Sequence, residues 1–157
     1  MAKPWKYPRI RAHDQFSSAA RAILVTRLNE INFYEDLVMT THDVEGVHDM
    51  RVAARRLQAM MGILRECFPF KKYRTMDKSV RRLIRVLGSV RERDVVMAIL
   101  EEHRTPLPEH QRRTLDLFLT QKNLEREHER LALRATLERM NSGQFRKRFM
   151  KLVRNTF

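Results

Sequence analysis

The sequence has little of what several protein classes need. Its 157 residues include one cysteine, four glycines and five prolines. A lone cysteine, Cys67 in an apolar setting, excludes an internal disulfide and suggests a buried thiol in a reducing compartment. Few glycines and prolines argue against many short strands. No run approaches the roughly 18 apolar residues of a membrane span, and the charged N-terminus does not resemble a signal peptide. We therefore expect one cytoplasmic domain and no membrane association.

Positive charge is what the sequence has in excess. Lysine and arginine total 32 against 19 aspartates and glutamates, a net charge of +13. Arginine dominates, and its planar guanidinium pairs with phosphate oxygens while staying charged at any relevant pH. The excess lies in an amphipathic chain rather than in a loose tail. It indicates a binding field for a polyanion.

Apolar spacing predicts an all-α fold with six helices. Four of them form an antiparallel four-helix bundle, and a long helix and a short C-terminal helix follow. Asp14 should cap the first helix and Thr41 or Asp43 the second, while Pro69 and Gly88 should end the second and third. The predicted organisation is a basic N-terminal arm at 1–13 and one domain at 14–157, with the bundle at 14–105 and the last two helices within 109–155.

The second helix has the clearest pattern. Its apolar residues step by three and four along one side, which is typical of a bundle seam: Val47, Met50, Ala54, Leu57, Met61, Leu64 and Phe68. At 100° per residue, His48, Arg51 and Arg55 share a strip away from that seam, and Arg56 points further round. Gly62 follows on the strip, where either a ligand approaches the backbone or another helix packs.

A second basic strip is predicted on the third helix, opposite its apolar seam. It consists of Lys78, Arg81, Arg82 and Arg85, and Arg91 and Arg93 follow. Residues 71–93 hold nine basic and two acidic residues. Two neighbouring basic strips would form a groove able to hold successive phosphates, with strongly salt-dependent affinity.

Two segments of this region resemble a known family. Residues 48–57, HDMRVAARRL, match the H-x-x-R-V-x-x-R-R-L signature of the CHAD family, the conserved-histidine α-helical domain. Residues 87–95, LGSVRERDV, are similar to its second motif, L-G-x-x-R-D-x-D-V, with Glu92 replacing an aspartate. The resemblance implies a helical bundle that binds inorganic polyphosphate without catalysis and without a cofactor. By position, His48, Arg51, Arg55 and Arg56 would contact the ligand.

The resemblance also implies partners. CHAD domains usually contain two helical halves, each with a basic motif, and this sequence has one H-x-x-R helix. A homodimer would restore the second half. CHAD domains also occur beside triphosphate-tunnel enzymes and on polyphosphate granules, so such an enzyme is a candidate partner and the granule a candidate location.

Three alternatives remain open at this point. A nucleic acid presents the same phosphates, although the aromatic residues fall on seams rather than on a stacking surface. An enzyme would need clustered acids, and Asp94, Glu101 and Glu102 are more simply a helix start and a solvated face. An interaction module could use the polar stretch 120–130 in the long helix to contact a protein partner or a ligand.

Overall fold

The structure, a computed structural model, describes residues 3–8, 10–41 and 43–157, and the regular secondary structure of these residues is all helical. The α-helices are α1 (Phe16–Thr40), α2 (Val44–Ile63), α3 (Phe70–Arg104), α4 (Glu109–Ser142) and α5 (Phe145–Thr156). A short 3-10 helix, Arg65–Cys67, follows α2. The predicted all-α class is confirmed. Part of the predicted arm (residues 1, 2 and 9) and His42 lie outside the described residues.

One of the two predicted N-terminal caps is confirmed. The Asp43 carboxylate accepts hydrogen bonds from the backbone N–H groups of Glu45 and Gly46, which satisfies donors that the first turn of α2 leaves free. The prediction for Asp14 is wrong. Its carboxylate accepts the N–H of Arg11 in a turn, and α1 begins at Phe16 without a side-chain cap.

The predicted break at Gly88 is also wrong, because α3 continues through it to Arg104. Gly88 has an ordinary helical backbone rather than the left-handed one of a C-terminal cap. The third and fourth predicted helices are therefore one helix of 35 residues, roughly 50 Å long at 1.5 Å per residue. The basic strip and the second motif consequently lie on a single rigid element.

The connection between α2 and α3 differs from prediction in two details. The α-helical part of α2 ends at Ile63, and the 3-10 turn carries the chain to Pro69. Cys67 lies on that turn and is exposed, so the predicted buried thiol is wrong. A 3-10 turn rotates side chains differently from an α-helix, which moves Cys67 off the apolar side while Phe68 stays buried.

The core lies where α1, α2, the first half of α3, the end of α4 and α5 meet. It includes the predicted α2 seam, since Val47, Met50, Ala54, Leu57 and Met61 are almost completely buried. Residues from both ends of the chain join it, namely Leu24, Leu28, Leu137, Phe149 and Val153. The short helix α5 thus closes the bundle rather than extending from it.

Beyond the core, α3 and α4 continue as an antiparallel pair joined by polar contacts. Asp94, buried at 3% exposure, accepts hydrogen bonds from Arg126 (2.7 Å) and Arg130 (3.3 Å). Arg93 pairs with Glu125 and Arg104 with Asp116. The polar middle of the long helix therefore contacts α3. Asp94 lies within α3 rather than at the predicted helix start, whereas Glu101 and Glu102 are exposed as expected.

Part of the N-terminal arm is held against α1. A buried ion pair, Arg27 with Glu30, accounts for this contact. Glu30 accepts the backbone N–H of Trp5, while Arg27 donates to the Trp5 carbonyl and to the Tyr7 hydroxyl and lies over the Tyr7 ring. In the described part of the chain, no helix combines the length and apolar character that crossing a bilayer requires.

Candidate functional site

The two motif segments meet where α2 crosses α3. A Cβ atom placed on Gly88 would lie 3.8 Å from Arg51 Nε, so the arginine passes directly over the glycine. One turn further along α3, Arg91 lies 3.8 Å from Glu45 on the first turn of α2. Gly88 thus leaves room for an arginine side chain between the helices. This contact gives a physical reason for the spacing of both motifs.

Two polar atoms at this crossing have unsatisfied hydrogen-bonding capacity. His48 Nδ1 and Arg51 Nε are inaccessible to solvent and have no hydrogen-bond partner in the described chain. Leaving a buried polar atom unpaired costs about 1–3 kcal/mol, and such atoms often mark functional positions. Arg51 also forms no ion pair with a described residue, so the protein does not neutralise its charge.

Further positive charges extend from the crossing toward the start of α3. Arg55, Lys78 and Arg85 are exposed, and none forms an ion pair within the described ranges. On the helical wheel, Lys78 and Arg85 lie on the side of α3 opposite its buried seam. We define the α2–α3 groove as His48, Arg51, Arg55, Arg85 and Arg91, with Lys78 on its rim. Guanidinium and ammonium groups of this kind form charge-assisted hydrogen bonds with anions.

Two other predicted arginines already have acidic partners. Arg56 points toward α1, where its guanidinium lies 3.7 Å from Glu30 and supports the contact with the N-terminal arm. Arg81 donates to Asp77 at 2.7 Å, and this hydrogen bond raises the pKa of Arg81 above its usual value. The predicted strips are therefore partly occupied by internal ion pairs, since a sequence pattern does not show which side chains meet.

Arg82 lies outside the α2–α3 groove. It faces α4 and α5 and lines a cleft with Ser79, Arg139 and Arg148. Residues 82 and 88 are separated by about 120° around the helix, which explains why only one of them faces α2. Arg82 therefore lines this cleft, whereas the strip was predicted to face a single groove.

Gly62 has no atom within 4 Å of an added Cβ, so of the two alternatives given for it the helix-packing contact is wrong. The basic residues of α5 were not among the predicted site residues, although Arg148 and Lys151 line clefts against α3. Their signal was present, because α5 has apolar residues at helical spacing with basic residues between them. Among the described residues, no three His, Cys, Asp or Glu side chains come together in a way that could hold a metal ion.

The sequence matches the CHAD domain over residues 22–157. The chain belongs to the CHAD family. The match includes all five α-helices except the first residues of α1, and it contains both motif segments. Comparisons with curated proteins and with solved structures gave no match.

Proposed function

We propose that this CHAD protein binds inorganic polyphosphate in the α2–α3 groove and does not alter it chemically. The observation that carries the proposal is the meeting of both CHAD motifs at Arg51 and Gly88, where the charge of Arg51 has no acidic partner in the described chain. CHAD domains are associated with polyphosphate, and successive phosphates match successive cations along a groove. Arg55 and Arg85 extend the positive surface on both helices.

The groove favours a flexible phosphate chain over a nucleic acid. Specific recognition of unpaired bases commonly uses aromatic side chains that stack on them. The groove as defined contains arginines, a lysine and His48, and no aromatic side chain belongs to it. Nucleic acid would therefore compete through its phosphates alone.

The decisive variant is Arg51→Ala together with Arg55→Ala, measured by titration with long-chain polyphosphate at several salt concentrations. Each lost charge-assisted hydrogen bond is worth about 1.5–3 kcal/mol, so affinity should fall by at least roughly tenfold per arginine. The salt dependence should also weaken, by about 0.7 in log–log slope per lost phosphate contact if the single-strand value applies.

The matched control is Arg65→Ala with Arg113→Ala, which removes the same charge from residues outside the groove. It should weaken binding much less, and both variants should keep the helical circular dichroism signal. Equal losses would reduce the proposal to nonspecific attraction by net charge. In a separate competition experiment, displacement of polyphosphate by an equal phosphate concentration of duplex DNA at moderate salt would favour the nucleic-acid function instead.

The absence of catalysis belongs to the same proposal. Incubation with polyphosphate, with and without added Mg²⁺, should release no orthophosphate and leave the chain length unchanged on a gel. Steady, enzyme-dependent release would contradict the proposal. The predicted location in the cytoplasm at polyphosphate granules can be examined by microscopy of a fluorescent fusion, with the Arg51→Ala/Arg55→Ala variant as control.

The homodimer and the triphosphate-tunnel enzyme remain proposals about partners. A second copy would supply a second H-x-x-R helix, and the α3–α4 pair carries exposed apolar side chains that could contact it, including Ile99, Leu117 and Phe118. Light scattering at micromolar concentration should give twice the monomer mass of 18.9 kDa. A constant monomer mass would contradict the dimer without affecting the groove.

A further inference from the structure

A second basic surface lies on the other side of α3 from the groove. Two adjoining clefts of about 190 and 400 Å³ open between the first half of α3, the end of α4 and α5. They share Thr75, Met76 and Arg148, so they form one continuous depression, the α3–α5 cleft. Its cations are Lys71, Lys72, Arg82, Arg139, Arg148 and Lys151.

The charge balance of this cleft is one-sided. None of the described residues that line it is acidic. Arg82, Arg148 and Lys151 form no ion pair within the described ranges, and Arg139 uses its Nε to bond the Ala135 carbonyl, which leaves the ends of its guanidinium available. Like charges crowded together repel each other, and an anion between them relieves that repulsion.

The cleft has a firm base of buried side chains. Thr75 and Ser79 already donate their hydroxyl protons to carbonyls one turn back on α3, at 3.0 and 3.2 Å, so the lysines and arginines are the donors that the cleft presents to an anion. Beneath them, Met76, Phe145 and Leu152 are buried in the core. Arginine and lysine stems packed over such a base keep their charged ends toward the solvent.

We propose that the α3–α5 cleft is a second phosphate site, which binds a short run of an inorganic phosphate chain independently of the α2–α3 groove. This inference extends the proposed function to a surface that the CHAD motifs do not cover. Around α3, Arg85 of the groove and Lys78 on its rim lie between Gly88, which faces α2, and Arg82, which faces the cleft. A long polyphosphate can therefore cross the helix and occupy both sites, which raises its affinity over that of a short chain through effective concentration.

Methionine side chains provide reporters for the test, because Met76 and Met140 line the cleft while Met50 and Met60 belong to α2. With 13C-methyl methionine, tripolyphosphate should shift the Met76 and Met140 signals in the wild type. The same shifts should persist in Arg51→Ala/Arg55→Ala. In Arg82→Gln/Arg148→Gln, the midpoint of their titration should move to at least roughly tenfold higher concentration, since two charged contacts are lost.

Two results would each overturn the proposal of a second site. Unshifted Met76 and Met140 signals in the wild type would do so, as would an unchanged titration midpoint in Arg82→Gln/Arg148→Gln. If that variant fails to fold by circular dichroism, Lys72→Gln/Lys151→Gln tests the rim of the same cleft with exposed residues. The outcome is separate from the proposed function, which fails if the Arg51→Ala/Arg55→Ala variant binds long polyphosphate normally.

Discussion

The two halves of α3 have opposite electrostatic roles, although both are rich in charged residues. Residues 70–88 contain seven lysines and arginines and one acid, whereas residues 89–104 contain three arginines and four acids. In the second half, Arg91, Arg93 and Arg104 all have acidic partners on α2 or α4. In the first half, only Arg81 has one among the described residues, and that partner is its own helix neighbour Asp77.

This difference shows that the fold pairs the three arginines of the second half with acids and leaves most cations of the first half without an acidic partner among the described residues. The second half uses Arg93, Asp94 and Arg104 to hold α4 through ion pairs. The first half packs on the apolar core with one side, and its cations remain available on the other sides. The two halves should therefore respond differently to mutation, one in stability and the other in affinity.

The largest expected effect is on the second half, from Asp94→Asn. The Asp94 carboxylate is fully buried and is bonded by Arg126 and Arg130, which would keep their charges without it. Removing one partner of a buried ionic cluster typically costs about 3–5 kcal/mol. Urea denaturation followed by circular dichroism measures this loss. The exposed control Glu101→Gln should change stability by less than about 0.5 kcal/mol, and equal midpoints for the two variants would refute a structural role for Asp94.

An intermediate effect is expected at Gly88, the boundary between the halves. An alanine Cβ there would make an ordinary 3.8 Å contact with Arg51 Nε, and alanine favours a helix interior by about 1 kcal/mol over glycine. Gly88→Ala should therefore raise the free energy of unfolding by roughly that amount and keep polyphosphate affinity.

The larger Gly88→Leu tests the same contact from the other direction. A leucine side chain would occupy the path of Arg51 and should weaken polyphosphate binding. If Gly88→Leu binds as tightly as the wild type, then passage of Arg51 over residue 88 has no role in the groove.

A smaller effect is expected when Arg81 loses its acid. Asp77→Asn preserves the shape of the side chain, and it should make the first half more completely available to anions. Polyphosphate affinity should rise severalfold, and the salt slope should steepen by up to about 0.7. Glu109→Gln makes the same charge change at the first residue of α4, where Glu109 pairs with Arg112 and Arg113. If Asp77→Asn and Glu109→Gln raise polyphosphate affinity equally, the pairing of Arg81 with Asp77 has no specific effect on binding.

The smallest effect is expected from the pH dependence of Glu35, whose pKa shift is opposite in direction to that of Asp116. Arg104 lowers the pKa of Asp116, whereas burial raises the pKa of Glu35, and the hydrogen bond from Asn141 offsets this only in part. Because the pKa of Glu35 is higher in the folded state, ionisation of Glu35 lowers the free energy of unfolding. This loss develops as the pH rises from the ordinary glutamate pKa through the raised pKa. Glu35→Gln should increase the melting temperature at neutral pH, and the gain should vanish below the ordinary glutamate pKa.

The exposed Glu66→Gln is the control for this pH dependence, because its carboxylate is almost fully accessible. It should show no such gain between neutral and acidic pH. A stabilisation by Glu35→Gln that is equal at both pH values would assign the effect to something other than the ionisation of Glu35.

Much of this arrangement followed from local patterns. The apolar steps of α2, the Asp43 cap and the helical class depend on neighbours in sequence, and the structure has them as predicted. The incorrect or missed predictions concern features that depend on contacts between residues distant in sequence. Gly88 carries a strong local stop signal, but packing against α2 and α4 keeps α3 continuous. Arg148 and Lys151 had no motif to single them out, because their significance comes from facing α3.

The sequence by itself determined an all-helical CHAD chain with a large positive excess and identified His48, Arg51 and Arg55 as its candidate binding residues. Only the tertiary structure decided which cations are neutralised, with Arg56 and Arg91 paired internally and Arg82 turned toward α5. Helical periodicity gives the direction of a side chain about its own axis. Which charged residue the side chain meets depends on the neighbouring helix, and the position of that helix is set by packing across the core.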